Sequence, residues 1–133
     1  MTKKNIEKTY KVWEKEFKKG FSSYIILKLL NDKDMYGYEI KAKLDEILVS
    51  DVQFQESGIY QNLKKLKSKK FVTSEIRKSE VGPKRKYYII TKSGIELLKT
   101  FTDHFIYPVS KSIVEMIESE KKKGDLSETA NNR

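Results

Sequence analysis

Hydrophobic spacing leaves the helical period in one stretch of this chain, which begins at Phe71. Upstream of it, apolar side chains recur every three or four positions, the period of a helix. Downstream, the runs Phe71-Val-Thr-Ser-Glu-Ile76 and Lys86-Tyr-Tyr-Ile-Ile90 are β-branched and aromatic. Between them lies Ser79-Glu-Val-Gly-Pro-Lys-Arg85, with a Gly-Pro tip. This pattern predicts a two-stranded hairpin with a long basic loop. From Thr91 the helical period returns. A chain patterned in this way is mainly α with one small β-hairpin.

The helical segments can be bounded from their stripes. Ile6, Tyr10, Trp13 and Phe17 form one face of an amphipathic helix over residues 5–19, which Gly20 is expected to stop. A more buried helix runs from Phe21 to Leu30, ended by the polar cluster Asn31-Asp-Lys-Asp34. A third covers Tyr36 to Leu48, with Tyr36, Ile40, Leu44 and Ile47 on one side. After a connector, Val49 to Glu56, Ser57 is placed to cap a helix reaching about Lys69, its apolar line Ile59, Leu63 and Leu66. Thr91 caps a long final helix carrying Ile95, Leu98, Phe101, Phe105, Val109, Ile113 and Met116. Pro108 should kink or split it between His104 and Tyr107.

Short helices followed by a hairpin with a basic loop describe a winged helix-turn-helix. The expected layout is an N-terminal amphipathic helix (1–20), the winged helix-turn-helix (21–91), a C-terminal dimerisation helix kinked near Pro108 (92–120) and a disordered tail (121–133). The apolar stretch Tyr24-Ile-Ile-Leu-Lys-Leu-Leu30 is far too short to span a membrane. The absence of cysteine removes thiol chemistry and disulfides, and suits the cytoplasm.

Charge location points to a function. The net charge is +9. Residues 57–92 hold eleven Lys or Arg against only Glu75 and Glu80, so that segment carries the whole surplus. Such concentration is the footprint of a polyanion-binding face. With Ile59, Leu63 and Leu66 turned inward, Ser57, Gln61, Lys64, Lys65 and Ser68 turn outward, with Tyr60 on the flank. Lysines neutralise phosphates and a glutamine can pair with an adenine edge, so this face suits the DNA major groove. The hairpin loop adds Lys84, Arg85 and Lys86.

Taken together, Met35-Tyr-Gly-Tyr-Glu-Ile40, Ser57-Gly-Ile-Tyr60 with Leu63 and Leu66, Gly82-Pro-Lys-Arg-Lys-Tyr-Tyr88 and Ile90-Thr-Lys-Ser-Gly-Ile-Glu-Leu-Leu98 form an ordered set over roughly residues 21–100. In this the sequence resembles the PadR family of bacterial transcriptional regulators. The resemblance implies a homodimer held largely by the C-terminal helix, repression at a dyad-symmetric double-stranded DNA site, and release by a small hydrophobic or aromatic effector. The resemblance places Tyr60, Lys84, Arg85 and Lys86 at DNA; with the outward face of the helix over 57–69, the expected DNA contacts are Tyr38, Ser57, Tyr60, Gln61, Lys64, Lys65, Lys84, Arg85 and Lys86. Trp13, Phe17, Phe101 and Phe105 are candidates for an effector site. Tyr10, Trp13, Leu98, Phe101, Phe105, Val109, Ile113 and Met116 are candidates for the dimer interface. Family members carry glycine where the recognition helix ends; here that position is Lys70.

Other classes find little support in the residues. His104 is the single histidine, so no His-based metal cluster is available, and no phosphate-cradling glycine loop or nucleophile elbow occurs. No catalytic residue, metal or cofactor is expected. A replication-terminator-like or architectural DNA-binding protein of the same fold remains an alternative. A winged helix used for protein contacts would need a neutral outer face on the helix over 57–69, which its lysines oppose.

Overall fold

The computed structural model describes residues 2–48, 56–78 and 81–131, the side chains of 56, 57 and 125–131 excepted. The expected connector therefore lies outside the described residues up to position 55, as do Ser79 and Glu80 of the hairpin loop. The elements are α1 (Thr2–Asp32), β1 (Met35–Tyr36), α2 (Gly37–Ile47), α3 (Glu56–Ser68), β2 (Val72–Arg77), β3 (Arg85–Ile90), α4 (Lys92–Phe101), a π-helical turn (Thr102–Ile106) and α5 (Tyr107–Asn131). They fall into two compact units divided between Leu98 and Lys99.

The first unit holds the core. Ile26, Leu27 and Leu30 of α1, Ile40 and Leu44 of α2, and Ile59, Leu63 and Leu66 of α3 close on Met35, Val72, Tyr88 and Leu98. The α3 stripe read from the sequence is thus the buried one. One polar bond ties α3 to α1 inside this packing. Asn62 Nδ2 donates to Ser22 Oγ at 2.7 Å, and that buried hydroxyl donates to the Lys19 carbonyl at 3.1 Å.

Four expectations are corrected. First, α1 does not stop at Gly20 but runs unbroken for 31 residues. A glycine inside a helix costs only about 1 kcal/mol relative to alanine, which flanking turns outweigh. Second, the sheet has three strands in the order β1-β3-β2, all antiparallel. Met35 and Tyr36 pair with Tyr88 and Tyr87, so Tyr36 precedes α2 in extended backbone and is not part of its inner face. Third, Leu98 is not offered to a partner; it is only 5% exposed and belongs to the core. Fourth, α5 continues to Asn131 where a disordered tail was expected. Its lysines, glutamates and alanine are good helix formers, and the one glycine is affordable on the same scale.

Lys70 resolves how the chain turns from α3 into the sheet. Its φ is 65°, the left-handed region that favours glycine. The Lys70 N–H donates to the Lys67 carbonyl at 3.0 Å and the Phe71 N–H to the Leu66 carbonyl at 3.0 Å. That pair of bonds is the Schellman helix ending, made here with a lysine in place of the usual glycine. Lys70→Gly should therefore stabilise the protein by about 0.5–1 kcal/mol, the left-handed penalty removed less the extra freedom of the unfolded chain. Denaturant unfolding would show this as a higher midpoint; a lower midpoint would mean that the lysine side chain itself holds the turn.

In the second unit the helix widens just before Pro108. The Tyr107 N–H reaches back five residues to the Thr102 carbonyl. Proline lacks an N–H, and its ring crowds the carbonyl four residues earlier, that of His104. A π-helical turn absorbs that mismatch without ending the helix. Phe101 and Phe105 stack there with centroids 5.0 Å apart.

Candidate nucleic-acid interface

The outward face of α3 follows from its buried one. With Ile59 and Leu63 at 1% and 0% exposure, Tyr60, Gln61, Lys64 and Lys65 stand in solvent. Ser57 lies within the first turn of α3 and its side chain is outside the described residues. Tyr60 leans toward α2: a Cβ on Gly37 would collide with the Tyr60 hydroxyl and ring edge. Only glycine at the start of α2 lets that phenol lie so close. A cleft of about 410 Å³ opens beside it, lined by Tyr36, Tyr38, Tyr60, Arg85, Lys86 and Tyr88. Tyr38 is well exposed at its edge.

Sheet alternation splits the basic triplet of the wing. Tyr88 is buried on the core side of β3, and side chains two apart share a face, so Lys86 lies on the side of Tyr88. Arg85 projects to the opposite side with Tyr87, and its guanidinium sits 4.4 Å from the centre of the Tyr36 ring. Lys84 is exposed at the end of the loop. The three residues were grouped by sequence as one tip. Arg85 and Lys86 instead open β3, and the period of two could have separated them. The pairing of Tyr36 with Tyr87 went unrecognised because the two-residue β1 leaves no sequence signal.

Several cations elsewhere are paired: Lys33 with Glu39 at 3.6 Å, Lys41 with Asp45 at 2.8 Å, Lys43 with Glu46 at 3.6 Å, and Arg77 with both Asp34 and Glu75 at 2.7 and 2.6 Å. Among the described residues, none of Lys64, Lys65, Lys84, Arg85 and Lys86 forms an ion pair. These five are free to meet a polyanion on one face.

Burial pushes the Tyr88 phenol above its ordinary value, with a smaller contribution from Tyr60. The folded state therefore holds this proton more tightly than the unfolded chain does. The associated stability is complete below the unfolded phenol's pKa and is lost as pH rises through the folded one. Tyr88→Phe should flatten the alkaline fall in stability; an unaltered alkaline limb would assign that fall to other groups.

The candidate effector residues divide between the two units. Trp13 and Phe17 lie on α1, each 62% exposed, and with Ile6, Tyr10, Phe21 and Leu48 they line a groove of about 810 Å³. Phe101 and Phe105 belong to the second unit, where Val109, Ile113 and Met116 are also exposed. His104 is exposed in the π-helical turn. Among the described residues no group of acids and histidine is placed to hold a metal ion, and no helix is long and apolar enough to cross a membrane.

Three core helices and a three-stranded wing, with unpaired cations on α3 and β3, define a winged helix-turn-helix of the nucleic-acid-binding kind. A match to the transcriptional regulator PadR-like family spans residues 26–100, more than half of the chain. The chain belongs to that family, one of non-enzymatic DNA-binding regulators. It is similar to a PadR-like transcriptional regulator of Bacillus cereus, with 32% identity, a TM-score of 0.66, and coverage of 74% of this chain and 93% of that one. Bacillus subtilis PadR in complex with operator DNA is 31% identical, with a TM-score of 0.53 over 60% of this chain and 45% of that one. An uncharacterised protein of Lysinibacillus sphaericus is 34% identical over 76 residues, 57% of this chain and 70% of that protein.

Proposed function

We propose that this protein is a cytoplasmic transcriptional repressor that binds double-stranded DNA as a homodimer. In this reading α3 enters the major groove and the β2–β3 wing grips the neighbouring backbone. The observation that carries it is the cluster Lys64, Lys65, Lys84, Arg85 and Lys86 on α3 and the wing, without ion pairs among the described residues, in the 57–92 segment that holds the chain's whole +9 surplus. The operator complex of the Bacillus subtilis relative supports the same use of the fold. Gln61 reads base edges; Lys64, Lys65, Lys84 and Lys86 neutralise phosphates; Tyr38, Tyr60 and Ser57 bond the backbone.

Two exposed apolar stripes support homodimerisation: Tyr10, Trp13 and Phe17 on α1, and Phe105, Val109, Ile113 and Met116 in and after the π-helical turn. Exposed large apolar patches of this kind mark association surfaces. Light scattering should give twice the chain mass at micromolar concentration, and a monomer would remove the expectation of a dyad-symmetric site. A flat hydrophobic effector near Trp13 is the regulatory part of the proposal, read by a change in tryptophan fluorescence with loss of DNA affinity.

Selection of bound duplexes from a random pool tests the whole reading. An enriched palindrome is the expected result. Retention of no duplex above background would reject it.

A further inference from the structure

Resting on the DNA-binding reading, one arginine of the wing is arranged so that another stays available. Arg77 and Arg85 face each other directly across β2 and β3. Like charges in that relation repel, and each must find a partner. Arg77 takes the acids: its Nε donates to Glu75 at 2.6 Å and its Nη2 to Asp34 at 2.7 Å. It also lies over the Tyr87 ring, 4.8 Å from the centroid. Tyr87 meets Tyr36 edge to face at 5.5 Å, and Arg85 covers the other tyrosine at 4.4 Å. The result is a row, Arg77, Tyr87, Tyr36, Arg85, anchored among the described residues by carboxylates at the Arg77 end only.

We infer that Arg77 is a positioning residue for DNA binding: by occupying Asp34 and Glu75 it keeps Arg85, stacked on Tyr36, free to take a backbone phosphate. A guanidinium laid on an aromatic face keeps its N–H edges for bidentate phosphate contact. Glu75 pairs with Tyr87, which places it diagonally from Arg85 on the same side of the sheet, within reach of a long side chain. Without Arg77, Glu75 would capture Arg85 and hold it from the phosphate. Arg77 itself, bound by two carboxylates, contributes no phosphate contact.

The test is the salt dependence of binding to one random-sequence duplex, with thermal melting of each variant to confirm folding at the working temperature. Arg85→Ala should flatten the slope of log K against log salt by about 0.9, the contribution of one phosphate. Arg77→Ala should flatten it by a similar amount, although the residue touches no phosphate. Adding Arg77→Ala to Arg85→Ala should change the slope no further. Adding Asp34→Asn and Glu75→Gln to Arg77→Ala should restore the wild-type slope, because no acid is then left to capture Arg85. A wild-type slope in Arg85→Ala, additive losses in the double variant, or no restoration in the folded triple variant would overturn the inference. Wild-type protein with no salt-dependent binding would overturn the DNA-binding reading itself.

Discussion

Gly94→Ala should destabilise the protein by about 3 kcal/mol, the upper end of the usual range for overpacking. The reason lies in the junction between the wing and α4. Thr91 Oγ1 accepts the Gly94 N–H at 3.1 Å and donates to the Lys70 carbonyl at 2.7 Å. The Thr91 N–H donates to the Phe71 carbonyl at 3.0 Å. These bonds draw the start of α4 against the chain leaving α3. A Cβ on Gly94 would strike the Phe71 carbonyl oxygen and stand 2.7 Å from Ile90 Cγ1. A backbone carbonyl that is already hydrogen-bonded cannot swing aside as a side-chain tip can. Ser93→Ala is the matched control. It loses the exposed contacts of the Ser93 hydroxyl with the Lys70 carbonyl at 3.0 Å and Thr91 Oγ1 at 3.1 Å, and should cost about 1 kcal/mol. Denaturant titration of both variants measures the contrast. Equal small losses would show that the junction relaxes and that the Thr-x-x-Gly spacing has another cause.

Gln61→Ala should cost about 1–3 kcal/mol on the selected operator and little on random DNA. Lys64→Ala should weaken both alike, since a phosphate contact carries no sequence information. The buried set Ile59, Leu63 and Leu66 fixes the rotation of α3, and Asn62 holds it through Ser22. Gln61 then stands about 200° from Ile59 around the helix, near the middle of the exposed face, with Lys64 and Lys65 on either side. Fluorescence anisotropy at one fixed salt concentration, on both duplexes, separates the roles. Equal losses for Gln61→Ala on operator and random DNA would mean that α3 lies in the groove at a different rotation.

The parts of this site set by local pattern were legible from the residues. The α3 stripe, the cap at Thr91 and the disturbance before Pro108 all follow from spacing or from single residues with narrow backbone preferences. What escaped depends on partners distant in sequence. Met35 and Tyr36 form a strand because β3 lies beside them, and Asn62 meets a serine forty positions away. Leu98 shares the stripe of Phe101 and Phe105, yet the core takes it. Gly20 shows the reverse error, a strong local signal overruled by the helix on both sides. Lys70 combines the two: its place at the end of α3 was visible, but the left-handed backbone is set by the Schellman bonds and the sheet that follows.

The central claim is that α3 and the wing grip DNA through cations that form no ion pair among the described residues. Its most direct test is the affinity of wild-type protein for a random duplex across a salt series, beside a variant with Lys64, Lys65, Lys84 and Lys86 all changed to alanine. Wild-type binding should fall steeply as salt rises, and the variant should lose slope by about 0.9 for each lysine that meets a phosphate. Equal slopes in a folded variant, or wild-type binding indifferent to salt, would contradict the account.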